Sequence, residues 1–172
     1  MNIVDFNISF ILTVVFIGCF ATVVMDLWAL FLKRAFSIPS LNYCFVGRWL
    51  RHMPEGSFTH TSIASAASKP AECISGWVAH YAIGIAFSAG LLLITSSAWL
   101  QQPTLTPPLL FGVATVAIPF FIMQPAFGLG VAAAKAPQPM LARGRSLMAH
   151  AVFGVGIYLG ALVLNLFWEA HF

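Results

Sequence analysis

Four strongly polar side chains, Asp26, His80, Gln124 and His150, lie inside otherwise apolar stretches of the chain. Polar groups of this kind are expensive in a membrane, face the interior of a helix bundle and mark proton relays or solute sites. An aspartate beside a histidine suits proton handling, because imidazole titrates near neutrality and burial raises a carboxyl toward that range. Two histidines on different helices can instead hold haem b through both axial positions. With Asp26 added, His80 and His150 can form a metal site. The structural alternative is a clamp, in which Asp26 and Gln124 hydrogen-bond the two histidines and lock the helices.

The elements that carry these residues follow from composition. Of 172 residues, 60% are hydrophobic and 8% charged, and the mean hydropathy is +0.90. Soluble domains carry about 25% charged residues, so a water-exposed globular surface, a disordered tail and a nucleic-acid module are all excluded. Segments 8–32, 74–100, 108–130 and 147–168 each reach the length of about 20 mostly apolar residues that a spanning helix needs. The expected fold is all-α, a single domain of four transmembrane helices.

All eight cations, Lys33, Arg34, Arg48, Arg51, Lys69, Lys135, Arg143 and Arg145, lie in two connections. Residues 1–7 and 101–108 carry none. Cationic connections stay cytoplasmic, which places both termini outside. The first segment lacks a basic n-region and is followed at once by Lys33 and Arg34, so it is expected to stay as a span rather than leave as a signal peptide. Trp99 and Trp168 fall near the outer ends of their helices and Trp77 near an inner end, positions suited to interfacial aromatics. Cys44 and Cys73 fall on the reducing cytoplasmic side and Cys19 inside the first span, so no disulfide framework is expected.

At 1.5 Å per residue, Asp26, His80 and His150 lie roughly 7 to 12 Å in from the cation-bearing end. Gln124 joins that layer, because Pro125, Gly128 and Gly130 end its span early. Gly76 and Gly84 share a face with His80, and Gly154 and Gly160 nearly align with His150. Small residues let helix backbones approach closely. Gly156 and Gly160 also form a GxxxG pair suited to packing or dimerisation. Pro119 and Pro125 free carbonyls in the third span. Ala79-His80-x-x-x-Gly84 matches Ala149-His150-x-x-x-Gly154, and Ala21-Thr22-Val23 matches Ala114-Thr115-Val116. The pattern predicts two parallel two-helix repeats around an axis along the membrane normal, with His80 and His150 face to face.

In the long connection, 33–72, Leu41, Phe45 and Trp49 recur at helical spacing and Arg48 and Arg51 fall away from that stripe. Two placements fit: an amphipathic helix on the inner membrane surface, or a segment packed under the bundle. Arg48, Arg51 and Lys69 are candidate binders of anionic headgroups or of an anionic substrate at the inner mouth. Ser68, Pro70 and Glu72 read as helix-start chemistry. Cys44, His52, Glu55, His60 and Cys73 lack the paired spacing of a zinc site, and no G-x-S-x-G, H-E-x-x-H or Walker pattern occurs.

Met25-Asp26-Leu27-Trp28, Pro39-Ser40-Leu41-Asn42-Tyr43, Val46-Gly47-Arg48-Trp49, Gly76-Trp77-x-x-His80-Tyr81, Phe121-Ile122-Met123-Gln124-Pro125 and Arg145-Ser146-Leu147-x-Ala149-His150 resemble the motifs of a bacterial inner-membrane family catalogued as a domain of unknown function. The resemblance covers nearly the whole chain. It implies a four-span inner-membrane protein and no activity. The expected task is handling of a proton, ion or small solute at the polar layer, by a homodimer or a subunit of a membrane complex. A haem or metal carrier and a purely structural subunit are the alternatives, and an enzyme is the less favoured class.

Overall fold

The computed structural model of the chain describes residues 8–96 and 98–169, with side chains through Leu166. The elements are α1 (Ile8–Phe36), α2 (Tyr43–His52), α3 (Glu72–Thr95), α4 (Ala98–Gln101), α5 (Thr106–Ala114), α6 (Gln124–Ala126) and α7 (Pro139–Glu169). Four stretches, Ile8–Phe36, Glu72–Thr95, Thr106–Ala126 and Pro139–Leu166, are long and apolar enough to cross a membrane. The protein is an all-α, multi-pass bundle.

Local chemistry shifts several expected boundaries. The second span ends at Thr95, because Ser96 adopts φ +64° and turns the chain into α4. Trp99 on α4 is buried and donates its indole N–H to the Thr104 carbonyl, so it belongs to the core rather than to an interfacial belt. The side chain of Trp168 lies outside the described residues. Within the third span Pro119 has no N–H to return to the Thr115 carbonyl. Ile118 bonds that carbonyl instead, and a π turn, Pro119–Met123, carries the chain to α6. The fourth helix starts at Pro139, so Arg143 and Arg145 ride on its first turns. α3 starts at Glu72 after Ala71 in a left-handed conformation, and Ser68 does not cap it.

α1 packs between α3 and α7, and α7 also packs on α5. Side-chain-free surfaces permit these crossings. A Cβ on Gly18 would sit 2.5 Å from the Ile85 Cα, and one on Gly112 would sit 2.8 Å from the Gly154 Cα. Gly156 meets Ala21 of α1 in the same way, at 2.8 Å, so the GxxxG pair is spent inside the bundle rather than left for a dimer. Ile17, Ala21, Leu91, Leu92, Phe153, Ile157 and Ala161 fill the core.

The matched sequence segments fall on α3 and α7 and on α1 and the third span. Perfect two-fold symmetry would make the α1–α7 and α3–α5 contacts equal. They differ: α1 and α7 pack along much of their lengths, whereas α3 and α5 touch over a short stretch. The space this opens holds the candidate site, and α2 lies across its cation-bearing end.

α2 is docked under the bundle. A Cβ on Gly47 would lie 1.7 Å from the Glu72 carbonyl oxygen, and one on Gly76 would lie 1.8 Å from that of Tyr43, so the two helices touch backbone to backbone. Val46, Ile63, Ala126 and Phe127 form a second apolar cluster beneath the spans. His60 and Ile63 donate backbone N–H groups to the carbonyls of Ala126 and Phe127. Gly128, at φ +86°, admits the Thr61 carbonyl where a Cβ would collide at 2.0 Å.

Cys44 and Cys73 are joined by a disulfide between α2 and the first turn of α3. This overturns the expectation of no bridge. The glycine contact of Gly47 with the start of α3 brings the two backbones close enough for the sulfurs to meet, which spacing in the chain does not reveal.

Candidate functional site

α1 and α3 bring Asp26 and His80 together, with Asp26 Oδ1 3.0 Å from His80 Nε2. The second carboxylate oxygen, Oδ2, accepts the Tyr81 hydroxyl at 3.1 Å. Tyr43 of α2 stacks on the His80 ring at a centroid distance of 4.0 Å, and Trp77 meets its edge at 5.9 Å. Burial, and then the Asp26 charge, push the Tyr43 phenol well above its usual range, so it stays a donor. One proton must lie between Asp26 and His80, on Nε2 facing a carboxylate or on the carboxyl facing a bare nitrogen.

His150 is served differently. Its Nδ1 lies 2.7 Å from Thr115 Oγ1, which also lies 2.6 Å from the Gly112 carbonyl oxygen. The hydroxyl has one hydrogen. When it bonds Gly112, Nδ1–H donates to Thr115 and Nε2 is a bare acceptor. When it bonds His150, Nε2 carries the proton. Gln124 is 6% exposed; its amide nitrogen donates to Ser146 Oγ at 3.3 Å, and Oε1 has no partner among the described residues. Gln124 therefore bonds Ser146, not a histidine, and the expected four-residue clamp is present only in its Asp26–His80 half.

Two adjoining cavities occupy the opening. One, of about 150 Å³, is lined by both histidines together with apolar side chains such as Ile83, Phe87, Ile122 and Phe153. The other, of about 220 Å³, runs toward the cation-bearing end past Trp28, Gln124, Arg145, Ser146 and His150. His80 and His150 do share one cavity. Among the described residues no three of His, Cys, Asp and Glu converge as metal ligands, and His80, His150 and Asp26 are not brought together as a set. Nor does the pair fit axial haem ligation, since His80 Nε2 faces Asp26 and its ring lies flat against Tyr43.

The loop residues have structural partners. Arg48 makes a paired contact with Glu72, Nε to Oε2 at 2.9 Å and Nη2 to Oε1 at 2.8 Å. Its remaining nitrogen, Nη1, donates to the carbonyls of Ile63, Ala64 and Ala66. Bonding to Glu72 raises the Arg48 pKa, and the side chain holds the loop closed instead of reaching for headgroups. Arg51 donates to Ser75 Oγ and Lys69 pairs with Glu55. His52 and His60 stack edge to face at 4.9 Å, while Cys44 and Cys73 are consumed by their bridge, so no zinc set forms there. Sequence reasoning missed Tyr43, Tyr81, Thr115 and Arg145. Tyr81 adjoins His80, and Thr115 belongs to the repeated Ala-Thr-Val segment, so both left a trace.

A helical bundle with four helices long and apolar enough to cross a membrane, and with an Asp–His pair beside a cavity between them, is the class of protein that the fold and site define. The chain belongs to the family described as "Protein of unknown function (DUF2938)", whose model matches residues 15–164. No curated protein and no solved structure matches it.

Proposed function

We propose that the protein handles a proton together with a small solute inside the membrane, at Asp26 and His80, whose imidazole lines the apolar cavity, and at Gln124 and His150, which line the adjoining cation-side cavity. The observation that carries this reading is the Asp26–His80 contact of 3.0 Å, with both side chains largely shielded, at 20% and 12% exposure. A carboxylate–imidazole pair shares one proton that either partner can carry, and occupancy of the cavity beside His80 changes the solvation that sets where the proton sits. The distribution of cations supports a cytoplasmic cation-bearing end with both termini outside; the Cys44–Cys73 bridge at that end speaks for the opposite orientation, since such bridges persist on the oxidising side of a membrane. The family resemblance carries the placement in a bacterial inner membrane. The thin four-helix unit supports a homodimer or a subunit role.

Infrared difference spectra of the purified protein between pH 5 and 8 test the proposal. The expected result is a carboxyl or imidazole titration that vanishes in Asp26→Asn and in His80→Gln while helical content and expression persist. Absence of any such titration, with both substitutions lowering only thermal stability, would leave the structural clamp as the function of the pair.

A further inference from the structure

The cation-side cavity contains polar atoms that nothing in the fold satisfies. Arg145 Nε, Trp28 Nε1 and Gln124 Oε1 are all buried without a hydrogen-bond partner among the described residues, and all three side chains line this cavity. Among the described residues Arg145 also has no carboxylate within ion-pair distance, in contrast to Arg48 and Lys69. A buried donor left unmade costs about 1–3 kcal/mol, and more when it is charged, so a cluster of them calls for an external partner. The charge of Arg145 and the indole N–H call for an anionic oxygen. The Gln124 amide, through its broad terminal torsion, can present either its oxygen or its nitrogen to the same guest.

The apolar cavity continues from this one. They share Met25, Leu41, Tyr43, Pro119, Met123 and His150. Ile83, Ile118 and Ile122 line the apolar part yet are 43%, 42% and 50% exposed. Their outer sides therefore face the surrounding lipid, through the gap between α3 and the third span. A guest that fits both halves has an anionic head and an apolar chain that can enter sideways from the bilayer.

We infer that the two cavities form one binding site for an anionic amphiphile, with its head on Arg145, Trp28 and Gln124 and an acyl chain between α3 and the π turn. The inference deepens the proposed function by naming its solute class. The head then lies on the His150 side of the layer, with the chain running past His80. An anionic head on an acyl chain can belong to a free carboxylic acid or to a bilayer lipid.

The probes are 11-bromoundecanoate, 11-bromoundecanol and acetate, added to the full chain in phosphatidylcholine nanodiscs. Bromine quenching of tryptophan reports chain entry, because Trp49 lines the apolar cavity and Trp28 the polar one. The acid is expected to quench saturably, with a half-saturation concentration at least tenfold below that of the alcohol. Arg145→Gln should abolish that preference, and Arg145→Lys should keep part of it. Trp28→Phe should weaken binding of the acid several-fold, read from the remaining tryptophans. Equal quenching by acid and alcohol, or an unchanged preference in Arg145→Gln, overturns the inference. So does protection of the site by acetate at the concentration where the acid saturates, since a small anion alone would then account for it. Replacing the nanodisc lipid by phosphatidylglycerol separates the sources: competition assigns the head to a bilayer lipid, and its absence to a free acid. None of these readings depends on the Asp26–His80 proton, so the solute class and the proton reading fail independently.

Discussion

Asp26 and His80 lie fifty-four residues apart in the chain and meet at 3.0 Å, with Tyr81 holding the second carboxylate oxygen. Removing Asp26 leaves His80 Nε2 shielded and without this partner, and removing His80 leaves Asp26 with the Tyr81 hydroxyl alone, each at a cost of about 1–3 kcal/mol. His80→Ala is therefore expected to lower the thermal midpoint measurably. Asp26→Asn keeps an oxygen for Tyr81 and a group facing His80, and should lower it less. If the two variants melt alike, the carboxylate charge contributes little and packing around His80 dominates.

Two glycines on the same half of the bundle should respond in opposite directions to alanine. Gly112 faces the backbone of α7, where a Cβ would lie 2.6 Å from the His150 carbonyl oxygen. Gly112→Ala must push the helices apart and is expected to destabilise by about 1–3 kcal/mol. It should also disturb the Thr115–His150 contact. Gly144, in the first turns of α7, has nothing within 4 Å of its would-be Cβ. Gly144→Ala should stabilise by about 0.5–1 kcal/mol through helix propensity and a less free unfolded chain. Thermal melts of the two variants in one detergent check both signs.

These outcomes bear on what was legible in the sequence. The spans were visible because crossing a bilayer demands a run of about 20 apolar residues, whereas a helix at a water-exposed surface keeps one polar face. The cations marked which connections share an end. Asp26 and His80 were visible as polar residues at matching depth. Their direct contact was not, because depth says nothing about rotation around the helix axis. Gln124 illustrates that limit: its depth suggested a histidine partner, yet its orientation gives it Ser146. The Cys44–Cys73 bridge was hidden for a related reason. It depends on Gly47 and Gly76 bringing two backbones together, a tertiary approach that residue spacing does not encode. Arg48 looked like a headgroup binder because solvated arginine is the default for a loop, and Glu72 looked only like a helix-start acid.

Arg48 is the main polar fastener of the loop, satisfying Glu72 and three carbonyls at once, with 12% of its side chain exposed. Arg48→Ala leaves Glu72 and those carbonyls without it, a loss on the order of 2–3 kcal/mol in local stability. The expected signature is faster hydrogen exchange and proteolysis across residues 57–69, with the spans unaffected. Arg48→Lys should rescue only part of the protection, because an ammonium cannot repeat the forked contact with Glu72. Full rescue by lysine would show that charge alone closes the loop.

The disulfide predicts a thiol count. With Cys44 and Cys73 bridged, denatured protein prepared without reductant should alkylate at Cys19 alone. Reduction should release both remaining thiols and loosen the join of α2 to α3, without separating them, because Arg48–Glu72 persists. Three reactive thiols before reduction would show that the bridge does not form in the isolated protein.

Acidification should open the same loop, and the sign follows from its titrating groups. His60 has its pKa lowered by burial and then by the neighbouring His52, so the folded loop prefers it neutral. Glu55 is held below its usual value by Lys69, with His52 adding to the effect. For both groups the unfolded loop binds protons more readily, so folding stability rises with pH. The His60 contribution is present above about pH 6.5 and fades as pH falls through its depressed folded value. The Glu55 contribution is lost at lower pH still. The protection factors of residues 53–69, which correct for the intrinsic slowing of exchange on acidification, should therefore fall between pH 7.5 and 5. His60→Asn should flatten that fall, whereas Lys69→Gln should alter the pH dependence only below about pH 4.5, where Glu55 titrates. A loop whose protection is independent of pH in the native chain would mean that His60 is solvated rather than buried, and that its edge-to-face contact with His52 does not persist in solution.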